Sequence, residues 1–91
     1  MFERDDIVTE ISPNLDNRIQ DPKLSNFING YSYGSEKDLT GCSLKVIMSF
    51  CMEIDSKDGI EVTDLCFVQN MDSKYNEVYA FKTNTLKLKE N

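Results

Sequence analysis

The sequence predicts an α+β domain in which short N-terminal helices pack on a three- to four-stranded antiparallel β-meander. Three observations carry that reading. Every even position from Leu44 to Ile54 is apolar (Leu44, Val46, Met48, Phe50, Met52, Ile54), and a Ser56 to Gly59 turn precedes the next apolar residue, Ile60. This is the pattern of a β-hairpin with one face in a core. Upstream, Ile7, Val8, Ile11, Leu15 and Ile19 recur at helical spacing, interrupted by Pro13. With 91 residues the chain can bury one core of modest depth, so residues 1–91 read as a single domain, with a helical layer at 1–30 and the meander at 43–89.

Taken in order, helices are expected near 3–11, 13–19 and 22–29. Ser12-Pro13 and Asp21-Pro22 each set a capping residue before a proline at the first helical position, where the missing N–H is not needed. The third would bury Leu24, Phe27 and Ile28 and stop at Asn29-Gly30. Tyr31 to Ser35 reads as a loop presenting Tyr31 and Tyr33, and Ser35 with Asp38 resembles a capping box. Val46, Ile47, Phe50, Cys51 and Ile54 also match helical spacing, but β-branched and aromatic content favours the strand.

In the hairpin, Ile54 is expected opposite Ile60, Met52 opposite Val62, Met48 opposite Cys66 and Val46 opposite Val68. That register sets Asp64 against Phe50, so a bulge near Thr63 is expected to turn the carboxylate outward. Ile47, Cys51, Leu65 and Phe67 then form a second apolar surface, with Glu53 across from Glu61. Val78, Tyr79, Ala80 and Phe81 read as a third strand of open register, and Leu86 to Lys89 as a fourth or a tail.

The functional content is mostly negative. There is no histidine, and Cys42, Cys51 and Cys66 are odd in number and unpaired by spacing, which argues against zinc and disulfide frameworks; Cys51 and Cys66 read as small buried residues. Asp55, Asp58 and Glu61 lack the further ligands and the glycine of a calcium loop, and Gly30, Gly34, Gly41 and Gly59 are too scattered to cradle a phosphate. No catalytic residue, cofactor or metal is expected. No apolar run reaches a membrane span, and Met1 to Asp6 carries charge where a signal peptide needs an apolar core, so a cytoplasmic location is expected. A single alanine among many Asn, Lys, Ile and Ser suits an AT-rich bacterial or phage genome.

The net charge of -6 is concentrated from Glu53 to Glu77 and argues against direct nucleic-acid binding, which needs a basic surface. A protein partner with a basic surface is its complement. The expected function is a small acidic, non-enzymatic inhibitor of the anti-defence or immunity type, a comparison by size and charge alone. Asp55, Asp58, Glu61 and Asp64 would steer it, and Tyr31, Tyr33 and Phe67 would anchor it. Mimicry of a DNA phosphate array is weaker, because ten basic side chains are intermixed with sixteen acids. The alternative is a structural or adaptor subunit, a homodimer through the second apolar face of the sheet.

Overall fold

The alternating run does form a strand, but the helical layer does not form. In the computed structural model, which describes residues 2–90, five strands build one antiparallel sheet: β1 (Ile7–Glu10), β2 (Leu44–Ser56), β3 (Gly59–Asn70), β4 (Val78–Lys82) and β5 (Leu86–Leu88), in the order β4-β3-β2-β1-β5. Met1 and Asn91, the ends of the expected single domain, lie outside the described residues. The described residues contain only 3₁₀ turns, at Leu15–Asn17, Pro22–Asn26 and Thr83–Thr85.

The expected helices at 3–11, 13–19 and 22–29 are therefore corrected. Ile7, Val8 and Thr9 are β-branched and stiff at χ1, which suits a pleated strand, and the residues 7–10 pair with both β2 and β5. Pro13 and Pro22 divide the chain after β1 into pieces too short to offset helix nucleation, so each closes a single turn. The capping chemistry survives the correction. Asp21 Oδ1 accepts from Lys23 N at 3.0 Å with Pro22 behind it, while Asn14, rather than Ser12, caps the earlier turn, accepting from Asp16 N at 2.8 Å. Around Ser35 and Asp38 no helical turn forms; Asp38 instead accepts from Thr40 N at 2.9 Å.

The hairpin register differs from expectation in one informative way. Val46 does face Val68, but from Met48 to Asp55 every partner moves by one: Met48 faces Phe67, Cys51 faces Asp64, Ile54 faces Glu61 and Asp55 faces Ile60. The bulge sits between Val46 and Met48, leaving Ile47 unpaired, and not near Thr63. One extra residue reverses which parity of β2 faces which side. Leu44 and Val46 join the core on one face, with Val8, Leu39, Cys66, Val68, Tyr79, Phe81 and Leu86. Phe50, Met52 and Ile54 pack with Ile47 on the other face, around Leu65, Phe67, Val78 and Ala80.

Both faces are covered by irregular chain. Ile19, Leu24, Ile28 and Tyr31 lie over the second core, and Phe2, Leu39 and Cys42 over the first. Arg18 is buried along the first core with its guanidinium 5.1 Å from the Tyr79 ring and 5.9 Å from that of Phe81. It donates to the carbonyls of Ser35 and Lys37, which ties the 35–39 segment to the sheet; its Nε has no hydrogen-bond partner. The outer edge of β4 is also occupied, since Ile19 N donates to Ala80 O at 2.8 Å and Val78 N to Gly30 O at 3.1 Å.

Beyond this core the hairpin continues alone. β1 leaves β2 after the Ile7 and Val8 pairs, and β4 leaves β3 after Lys82 faces Leu65. Asp5, at φ 74, turns the chain away from β2 while its N–H bonds Val46 O at 2.8 Å. Residues 51–64 thus form a two-stranded arm. The molecule measures 39 × 24 × 22 Å, and its long dimension is the reach of β2, roughly 40 Å for 13 residues.

Candidate protein-binding site

The arm has two unlike sides because cross-strand partners share a face. One side carries Phe50, Met52 and Ile54 toward the second core, with Phe27 6.5 Å from Phe50 by ring centroids. The other carries Cys51 beside Asp64, Glu53 beside Val62 and Asp55 beside Ile60. Among the described residues only the Thr83–Thr85 turn approaches that side, at its base near Asp64. Ile60 is 71% exposed and Val62 66%, and Glu53, Asp55, Asp64 and Cys51 are exposed with them. An exposed β-branched pair ringed by carboxylates is an unusual use of surface in a domain whose other valines are buried.

The acids expected to act together are divided by the hairpin. Asp55 and Asp64 share the bare side, Glu61 lies on the opposite side next to Ile54, and Asp58 sits in the turn. Within 51–64 they and Glu53 stand against one base, Lys57, so the arm is strongly negative from every direction. Glu53 does not face Glu61, as the expected register had it, but Val62.

The expected anchors fare differently. Phe67 is fully buried, 5.2 Å from Phe50 and 6.3 Å from Tyr31, so it belongs to the core and offers nothing to a partner. Tyr31 is half-buried; its hydroxyl donates to Ile19 O at 2.6 Å and accepts from Asp21 N at 3.3 Å, and burial raises its pKa. Its role is to hold the covering loop. Tyr33 is 56% exposed and remains a surface aromatic. Ile47, Leu65 and Phe67 lie under residues 19–31, so the open apolar face that motivated the homodimer is closed by the chain itself. Cys51 does not share that face. It is exposed, and partial desolvation of the thiol together with a hydrogen bond to Asp64 raises its pKa, which makes it a poor nucleophile.

Two other constellations bring polar groups together. A cavity of ≈ 510 Å³ lies between Ile54 and Glu61 of the arm and the 16–23 segment, where Asp16, Asp21, Lys23 and Lys82 mix both signs of charge. Glu77, on the β3–β4 loop, accepts from Ser73 Oγ at 2.5 Å, Lys37 Nζ at 3.0 Å, Tyr79 OH at 2.8 Å and Asn70 Nδ2 at 3.3 Å. These bonds, that from Ser73 foremost, hold its carboxyl down at about 2. A carboxylate so fully engaged ties loop to sheet and has no lone pair aimed at a substrate. No group of three or more His, Cys, Asp or Glu able to hold a metal occurs among the described residues, and no helix there is long and apolar enough to cross a membrane.

Ile60 and Val62 are the residues that sequence reasoning misplaces, in the core opposite Ile54 and Met52. A signal is present. Asp64 has their parity on a strand without a bulge, and an acid at the end of an apolar alternation marks a wet face. No family model, curated protein or solved structure matches the chain.

Proposed function

We propose that this protein is a small acidic, non-enzymatic binding protein that occludes a basic or nucleic-acid-binding surface of a protein target, in the manner of an anti-defence or immunity inhibitor. The observation that carries the reading is the arm: Ile60 and Val62 exposed on a bare side and surrounded by Glu53, Asp55 and Asp64. Apolar area at the centre of a patch supplies affinity, while acids at its rim raise the association rate toward a basic partner. Three free cysteines suit the reducing cytosol in which such a protein would work.

The test is capture of the partner from the producing cells with the arm intact, followed by kinetics on the purified pair. Reversing Glu53 and Asp55 to Lys should lower the association rate several-fold at low salt and flatten its salt dependence, with an unchanged circular dichroism spectrum. The target's own activity should fall as the wild-type protein is added. Equal kinetics for the charge-reversed variant, or a partner without a basic surface, refutes the reading.

A further inference from the structure

We infer that the arm recognises its partner by strand addition: an extended segment bearing alternating basic and apolar side chains pairs with the outer edge of β3 at Ile60, Val62 and Asp64. This rests on the proposed function and names the mode of contact within it.

The direction of the backbone groups follows from the ladder. Asn70 N donates to Glu77 O at 3.0 Å, so Asn70 turns its amide toward β4, and Met71 N donates to Ser43 O at 2.9 Å, so the next residue turns toward β2. Antiparallel strands alternate in this respect, and β3 carries no bulge. Every even residue of β3 therefore directs its N–H and C=O to the side on which β4 lies. From Cys66 to Asn70 those groups meet the β4 side, but β4 ends opposite Leu65 and the chain turns off at Thr83–Thr85. Ile60 and Val62 are left with outward backbone groups, and Asp64 with an outward N–H, that meet no backbone partner there among the described residues. A groove of ≈ 290 Å³ runs along this edge, walled by Glu61 to Asp64 on one side and Lys82, Thr83 and Asn84 on the other.

The same three residues hold their side chains on the bare face. A strand added in the line of β4 would bury Ile60 and Val62 against its own apolar residues and bring its other side chains within reach of Glu53, Asp55 and Asp64. A second copy of this arm is the wrong occupant. It would set five acids against five acids at close range, and an open edge flanked by like charge is how natural sheets avoid pairing with themselves. A basic extended segment satisfies the edge, the apolar pair and the charge together.

The probe is a synthetic peptide alternating Lys and Val, with its Glu–Val counterpart as comparison, added to the full-length protein. Strand addition predicts that the amides of Ile60, Val62 and Asp64 gain hydrogen-exchange protection on saturation while those of Glu61 and Thr63, already turned toward β2, change little. Val62→Pro deletes one outward donor without touching the β2–β3 ladder, and should weaken the Lys–Val peptide by at least about tenfold. Retained protection at Glu61 and Thr63 in that variant shows that the arm is intact. Binding of the Lys–Val peptide with no protection at the even amides, or equal binding by Val62→Pro, overturns strand addition and leaves the basic-partner reading standing. Failure of the Lys–Val peptide to bind better than Glu–Val at millimolar concentration overturns both.

Discussion

Replacing Glu77 by Gln should destabilise the protein at neutral pH and lose its effect in acid. The folded carboxyl is held at about 2 against an ordinary value of 4.5, by Ser73 first and then by Lys37, Tyr79 and Asn70. At about 1.36 kcal/mol per pH unit this difference corresponds to roughly 3 kcal/mol. That figure is an upper bound, because the Lys37 side chain is 48% exposed and water screens its share, and about 1–2 kcal/mol is the working value. The sign follows from the direction. A carboxyl with a lowered folded pKa contributes stability that is complete above the ordinary value and is lost as pH falls from about 4.5 toward 2. Urea unfolding of wild type and Glu77→Gln at pH 7, 4 and 2.5 would therefore show a gap that is widest at pH 7 and narrows steadily below about pH 4. A gap that is absent at pH 7, or constant across the series, refutes the assignment of Glu77 as the charged tie between the 70–79 loop and Lys37.

Phe67→Ala should cost about 3–5 kcal/mol in the same assay, whereas Phe50→Ala, half-buried at the base of the arm, should cost clearly less; equal losses would mean that the core extends to the base of the arm. Gly30→Ala should be strongly destabilising, since φ is +84 and a Cβ would meet Asn76 Cγ at 2.7 Å; Gly41→Ala, at φ +76 with nothing within 4 Å, should cost only the backbone strain of about 1–2 kcal/mol. Thermal melts that rank the two the other way count against the packing of residues 28–31 on the β3–β4 loop. Of the three thiols, Cys51 should react first with an aromatic disulfide reagent and buried Cys66 only on unfolding, and the Cys51 rate should keep rising above the ordinary thiol pKa because its own is raised. A Cys66 that labels at the Cys51 rate would contradict the first core.

How much of the fold and of the arm is legible in the sequence can be argued from Ile47. The even-position alternation of β2 reads as one face, which is correct for a strand without a bulge and wrong for this one. No residue in Val46-Ile47-Met48 announces the insertion, because Ile suits either face and the bulge is decided by what each core needs to bury. The one visible symptom is Asp64 set against Phe50, and it points to a bulge on the wrong strand. The helical spacing of Ile7 to Ile19 misleads for a different reason. Of its members only Val8 and Ile19 are core positions, while Ile7, Ile11 and Leu15 are exposed; the two reach opposite faces of a sheet from an extended chain, and periodicity does not encode which element delivers a side chain. The prolines and the capping side chains are legible as local chemistry; what they start is a 3₁₀ turn.

The arm itself has its origin in the same bulge. The insertion moves Phe50, Met52 and Ile54 onto the covered side, which leaves the odd residues of β2 and the even residues of β3 on the bare side from Cys51 onward. On β2 those are Cys51, Glu53 and Asp55 and on β3 Ile60, Val62 and Asp64, so half of that side is charged. A two-stranded ribbon of this kind gains little stability from its own contacts. Its acids make it worse as a folded element and better as an unpaired one, because they keep other arms away from an open edge. In the proposed function the same charges admit a basic segment. One set of carboxylates thus performs both exclusion and attraction, with the sign of the partner's charge deciding between them.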